Sequence, residues 1–467
     1  MGKKAQPALH TGPGSRVRQT CHAGPSPQPR HGVDTSFVAP QEDGMSTVAV
    51  AGDNPTKKSF REVWLVTAGH MMTHWYPGTY YLLLPLIGKE LGLSFSQIGS
   101  ILTCQFMAGA LSNVPGGMAV DAVARKGLLM ALALAWVGVP YFIMGLTHSY
   151  GMLLICAALV GIGNNLWHPT AIPLLAQSYP ERRGLVVSFH AMGGNLGDAI
   201  APLAAGAMLA VLTWREVVIL NVIPGVIASI LILLSLGSLT SGPAAAGAGG
   251  HAQRRSGTDM FGTLRTLFAN RTVMMLSIGS SIRAMTASTL LTFLPVFLSG
   301  DLGYSPLWVG ASMFTLQAAG FAAAPVAGHL SDRMGRRRII MSSMALSAVV
   351  LAFMAIAGRS AAFVLFIAFL GFFLFAIRAV LQAWMLDATP RNMGGTSIGI
   401  MFGAQALGAG IGPAAGGFLA DRYGIMATFY FLAATIVVAN LFIFFTPAAG
   451  ATAAAEPANQ RREPATA

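Results

Sequence analysis

Runs of about twenty apolar residues recur along this chain from near one end to the other. In a bilayer, a chain of that kind satisfies its backbone polar groups only as spanning helices or a closed barrel, and runs this long and continuous are helical. Twelve spans are expected, at 62–88, 96–120, 127–147, 151–176, 184–211, 217–239, 272–299, 306–330, 338–357, 361–387, 394–419 and 425–446. Only 10% of the 467 residues are charged, against about 25% in soluble domains, and mean hydropathy is +0.61. The expected fold class is an all-α polytopic membrane protein.

A net charge of +12 could suggest a nucleic-acid partner, but its distribution argues otherwise. With both termini cytoplasmic, 23 of the 29 Lys and Arg fall on the cytoplasmic side. Only Lys89, Arg215, Arg359 and Arg422 fall opposite, and Arg283 and Arg378 lie within spans. That bias is the positive-inside pattern, so the basicity orients the chain and no nucleic-acid partner is expected. The expected location is the cytoplasmic (inner) membrane, with the lipid bilayer as partner.

Residues 1–58 and 448–467 read as disordered tails, and 241–265 as a glycine-rich cytoplasmic linker between helical bundles at 59–240 and 266–447. No signal-peptide core is present in 1–58. Met45 opens "MSTVAVAGDNPTKK" and reads as an alternative start, with 1–44 an upstream extension. Cys21, Cys104 and Cys156 form no disulfide framework.

The chain repeats itself at a shift of 211 residues. Gly117, Asp121 and Arg125 meet Gly328, Asp332 and Arg336, and "LGDAIAPLAAG" at 196–206 meets "LGAGIGPAAGG" at 407–417. Each copy holds six spans, an arrangement of transporters whose substrate sites lie mid-membrane between the repeats.

The segments "GGMAVDAVARKG" (116–127) and "GHLSDRMGRRR" (328–338) resemble the two copies of the loop between the second and third helices of each half in the major facilitator superfamily. The first copy lacks the arginine after the aspartate and the internal glycine. The resemblance implies two pseudo-symmetric six-helix halves that rock about a central site. It also gives Gly117, Asp121, Arg125, Gly328, Asp332 and Arg336 the role of conformational-switch loops. "GIGNNLWHPTAIPLLAQ" (161–177) and "SFHAMGGNLGDAIAPL" (188–203) are similar to the fosmidomycin-resistance-type branch, whose members export drugs or organic anions. Where that branch carries an acid in the first helix this chain has His74, and where an acid often follows "HP" it has Thr170.

Ionisable residues inside spans are costly and face a cavity or a partner. The first span carries "GHMMTHWYPGTYY", with His70 and His74 one turn apart. By the repeat, Arg283 falls at the depth of position 72 and Arg378 beside His168. In the superfamily the first, fourth, seventh and tenth helices line the cavity, so His70, His74 and His168 are expected to face Arg283 and Arg378. Two guanidinium groups favour an anion, which Arg grips in a two-pronged manner. The expected substrate contacts are Arg283, Arg378, His74, His168, Asn165 and Gln382. The expected proton carriers are Asp198, His70 and His74. Most other polar residues in spans, Asn164, Asn195, His190, Gln105, Gln317 and Gln405, are assigned to interhelical hydrogen bonds. Tyr80 and Tyr81 are placed at the outer interface.

The expected function is a secondary transporter exporting a small organic anion or drug-like solute by alternating access, coupled to protons, as a monomer. A transition-metal transporter using His70, His74 and His168 is the alternative, and a non-transporting membrane sensor is a third reading. No enzyme is expected: HMMTH lacks the glutamate of HExxH, and neither G-x-S-x-G nor a phosphate-binding G-x-x-x-x-G-K-[ST] loop is present. No cofactor or resident metal is expected.

Overall fold

The structure, a computed structural model, describes residues 60–237, 257–360, 362–390 and 393–447, without the side chains of 113, 114, 117–119, 121, 122, 257–261 and 263. Both tails, Cys21, Met45 and residues 241–256 of the expected linker lie outside the described residues.

Thirteen helices are described. The first six are α1 (Arg61–Leu91), α2 (Phe95–Ala122), α3 (Lys126–Leu146), α4 (Tyr150–Ser178), α5 (Arg183–Met208) and α6 (Trp214–Leu236). A short helix, α7 (Gly257–Ala269), occupies the end of the segment read as linker. The rest are α8 (Arg271–Gly300), α9 (Pro306–Met334), α10 (Arg336–Ala357), α11 (Ala362–Asp387), α12 (Gly394–Tyr423) and α13 (Met426–Phe444). Leaving α7 aside, these are the twelve expected spans, with ends shifted by a few residues. Nine are long and apolar enough to cross a membrane by length and composition. The other three, α1, α2 and α5, carry more polar residues because they face the interior of the bundle. Apolar side chains on the rim point outward instead, as Ile223, Ile227, Ile230 and Leu234 do along α6.

Local chemistry sets the helix ends. Gly92 and Gly303 end their helical runs at φ 63° and 67°, a conformation costly for any residue with a Cβ. They are the same position in the two repeats. Gly335 turns the α9–α10 loop at φ 93°. Its counterpart is Ala124, so the first copy of the loop follows a different path, with α2 ending at Ala122. Within α6, Pro224 cannot donate to the Leu220 carbonyl, and the helix is interrupted at Asn221. The Asn221 amide donates to Val217 O at 2.7 Å and its oxygen accepts from Trp75 Nε1 at 2.5 Å. A second interruption, at Ile377 in α11, has no proline or glycine beside it.

The halves are packed alike. α1 lies on α5 as α8 lies on α12, α2 on α4 as α9 on α11, and α3 on α6 as α10 on α13. Between halves, α2 meets α12 and α5 meets α9. These two seams use the same contact twice. A Cβ added at Gly99 would lie 2.1 Å from Pro413 O, and one at Gly310 would lie 2.4 Å from Pro202 O. Gly417 similarly abuts Phe95 O, as Gly206 abuts Pro306 O. All of these positions lie toward the face opposite the start of α1. Toward the α1 start, Gly328, Gly395, Gly399 and Gly403 have open space around them. The halves are therefore closed on the far face and separated on the near one.

Tyr80 and Tyr81 correct the sequence expectation. Both are buried, at 0% and 7% exposure, because α1 is surrounded by other helices and has no lipid face at that level. Tyr80 packs edge-on against Tyr141.

Candidate functional site

The polar centre of the molecule is built on the contact between α1 and α5. Gly193, Gly194 and Gly197 turn one face of α5 into a flat surface. Cβ atoms there would strike Thr67 O, His70 and Met71 O of α1. That close approach lets two histidines of α1 reach α5 side chains and backbone directly. His74 Nδ1 lies 3.0 Å from Asp198 Oδ1, both side chains about one-fifth exposed. His70 Nδ1 donates to the His190 carbonyl at 2.5 Å, and its Nε2 lies 3.0 Å from His168 Nε2 on α4.

These bonds assign the protons. A carbonyl only accepts, so His70 carries its proton on Nδ1. In the neutral ring Nε2 is then an acceptor, and His168 must supply the Nε2–H between them. Asp198, when ionised, likewise accepts from His74 Nδ1–H. The centre thus holds four imidazoles and one carboxyl, with His70 touching three rings. It stacks on His190 at 3.9 Å and meets His74 and His168 edge-on at 4.7 and 4.8 Å.

His190 was missed as a site residue by sequence reasoning, which assigned it a structural hydrogen bond. The available signal was its spacing: eight residues before Asp198 puts both on one face of α5. Its ring nitrogens have no hydrogen-bond partner, and they are buried.

The nitrogens of His70, His168 and His190 come within 4.8 Å of one another. An ion bound to imidazole lies in the ring plane. The planes of His70 and His190 are 9° from parallel in a stack with centroids 3.9 Å apart, so they meet only far beyond bonding distance of either ring. The three rings as placed do not converge on one tetrahedral ion.

The two arginines separate. Arg378, the first residue of the second segment of α11, crosses to the other half, where its Nη2 donates to Asn195 Oδ1 on α5 at 3.3 Å. It is exposed to the gap between the halves and close enough for its charge to act on both His168 and Arg283. Arg283 is 4% exposed and stays in its own half. Its Nη1 reaches Leu374 O, just before the α11 interruption, at 3.5 Å, and its Nε has no partner. The expected pair of charges facing the histidines is therefore one charge at the surface of the gap with a second buried behind it.

Asn165 is half-buried and packs against Gly109 of α2. Gln382 is half-buried one turn beyond Arg378. Of the polar residues assigned to interhelical hydrogen bonds, Asn195 makes one with its side chain, whereas Asn164 Oδ1, Gln105 Oε1 and Gln405 Nε2 are buried without partners.

In the α9–α10 loop, the second of the two loops expected to act as switches, Arg336 donates to Asp332, to Ser331 Oγ at 2.7 Å and to Asp387 Oδ2 at 3.2 Å, joining the loop to the end of α11. In the first, Lys126 Nζ donates to Val120 O at 2.5 Å and Arg125 is exposed. The side chains of Gly117 and Asp121 lie outside the described residues.

The sequence profile of the Major Facilitator Superfamily matches residues 63–323 and 276–467. The fosmidomycin resistance protein of Escherichia coli (strain K12) is 24% identical over 400 residues, covering 85% of this chain and 95% of that protein. The hexuronate transporter of Bacillus subtilis (strain 168) is 26% identical, covering 80% and 92%. Among solved structures, a bacterial homologue of the human lysosomal transporter Spinster, inward-facing and unoccupied, superposes with a TM-score of 0.71 at 16% identity over 82% of this chain and 96% of that one. The nucleoside transporter NupG superposes at 0.68, with 12% identity, over 82% and 98%. The described helices share the fold of these structures, and the profile spans both halves: the chain is a multi-pass membrane transporter, not an enzyme, and it belongs to the major facilitator superfamily.

Proposed function

We propose that this chain exports a small organic anion or drug-like solute across the cytoplasmic membrane in exchange for protons, as a monomer with both termini in the cytoplasm. With that orientation the near face is cytoplasmic and the described state faces inward. The observation that carries the reading is the His74–Asp198 pair at 3.0 Å, set in the gap that Arg378 enters from the opposite half. A carboxyl and an imidazole in hydrogen-bond contact can hold one proton between them and pass it on, and a guanidinium beside them selects for negative charge. His74 stands where the fosmidomycin-resistance-type branch carries an acid, so the acid–base pair is divided between α1 and α5 instead. His70 and His168 extend the proton path, Arg378, His168, Asn165 and Gln382 form the contact surface, and Arg283 adds positive field from behind. The relatives named for fosmidomycin resistance and for hexuronate transport both support an anionic cargo.

The test is transport by purified protein in vesicles under an imposed pH gradient, with fosmidomycin and glucuronate as probes. Asp198→Asn and His74→Ala are expected to abolish pH-driven movement while substrate exchange at equal pH survives. Arg378→Ala is expected to lower both by tenfold or more. Unchanged pH-driven transport in Asp198→Asn and His74→Ala would rule out this proton route. The alternative cargo, a transition metal, is tested by calorimetry with zinc and copper(I): the ring geometry leads us to expect no tight site, and submicromolar binding lost in His70→Ala would reverse that.

A further inference from the structure

Asn195 is the acceptor that Arg378 has in the described state. It lies in "GGNLGD" of α5, between the glycines that press on α1 and the carboxyl of Asp198. Among the described residues, the Arg378–Asn195 bond is the hydrogen bond that joins the two halves at the depth of the histidines. The other side-chain bonds between halves, from Asp421 and Thr103, sit at the far-face seam. The pairing at 3.3 Å is chemically weak for a cation. A guanidinium has five N–H donors, and an amide oxygen is a neutral acceptor that engages one of them here. The nearest carboxylate along α5, Asp198, is turned away to His74. Among the described residues, Arg378 therefore has no carboxylate paired with it.

We propose that Asn195 is a stand-in ligand: its amide oxygen occupies the place of the substrate's anionic group on Arg378 and yields to it, so that anion binding breaks the tie between the halves. The inference rests on the central anion site described above and adds the residue that sets its selectivity. A carboxylate or phosphonate offers charge-assisted, two-pronged bonds and displaces a neutral amide. An uncharged solute gains nothing comparable and leaves the tie in place. By the same reasoning a carboxylate built in at position 195 would satisfy Arg378 permanently, and anions would no longer compete.

The experiment compares Asn195→Asp, Asn195→Ala and Arg378→Ala with the parent chain, as full-length purified protein. Binding of fosmidomycin and glucuronate is measured by calorimetry, with thermal unfolding of the ligand-free forms as the check on folding. Asn195→Asp should weaken both anions at least tenfold and raise the unfolding temperature of the free protein, since the tie becomes ionic. Asn195→Ala should bind them as tightly as the parent or up to several-fold tighter, and should unfold at a lower temperature. Parental anion affinity in Asn195→Asp, or a loss of affinity in Asn195→Ala, overturns the stand-in role, the latter by making Asn195 a direct substrate contact. Parental affinity in Arg378→Ala, or no binding of either anion by the parent chain, overturns the anion site itself and this inference with it. Parental anion affinity in Asn195→Asp, with binding lost in Arg378→Ala, keeps the anion site and removes only the role of Asn195.

Discussion

The two seams that close the far face are copies of one contact, yet only one is fastened. At both, a glycine of one half lies against a proline carbonyl of the other, Gly99 on Pro413 and Gly310 on Pro202. Among the described residues, the α2–α12 seam adds polar bonds that α5–α9 lacks. Thr103 Oγ1 donates to Gly410 O at 2.7 Å, and both oxygens of Asp421 accept backbone amides at the start of α2, Phe95 N and Ser96 N, at 2.8 Å each. Ser94 and Gln97 satisfy each other's amides reciprocally at the same helix start. The first turn of α2 is thus capped half by its own residues and half by the opposite bundle. At α9 the counterpart of Phe95 is Pro306, which has no N–H to offer, and the counterpart of Asp421 is Ala210. A duplicated fold can therefore keep the shape of a joint in both copies while one copy alone acquires a latch.

Filling either glycine tests the shared part and has the largest expected effect. Gly99→Val and Gly310→Val each force atoms into a carbonyl, so each should hold the far face open and lower transport by more than tenfold. Spin-label distances across the far ends of the helices would read the opening, and unequal results for the two variants would break the equivalence. Asp421→Ala tests the latch. Loss of a capping carboxylate costs about 0.5–2 kcal/mol, so the closed state should lose population by roughly two- to thirtyfold. An exposed aspartate stays ionised from about pH 5 to 8, so this latch should not respond to pH there. Thr103→Val should cost about 1 kcal/mol or less, and its effect should add to that of Asp421→Ala because the sites are separated along α2. Ala210→Asp should change least, since Pro306 leaves the new carboxylate one donor where α2 offers two.

The spans and the repeat were legible because hydropathy and self-similarity are properties of the chain itself. The 211-residue offset even pairs the residues that form the seams. By the same offset Arg378 falls beside His168, and its charge is close enough to act on that ring. The direction in which a side chain leaves its helix was not legible. Arg283 and Arg378 sit on two helices that were both expected to line the cavity, α8 and α11, but one is buried against the interrupted α11 and the other crosses the gap. That difference depends on the interruption at Ile377, which no residue type announces. Tyr80 and Tyr81 were misplaced for a similar reason, since aromatic residues near a helix end signal an interface only if that helix faces lipid. The approach of α5 to α1 was written in its glycines, but which α1 atoms they would meet depended on rotation about the helix axis.

The glycine face of α5 also divides the molecule into what can move and what cannot. With Thr67 O, His70 and Met71 O pressed against Gly193, Gly194 and Gly197, α1 and α5 have no room to slide past each other. The distances among His70, His74, His190 and Asp198 are then constants of any motion that carries one half against the other. Arg378 rides on the opposite body. Its separation from that fixed group varies with any such motion, so a distance measured between α5 and α11 reports how far one half has moved against the other.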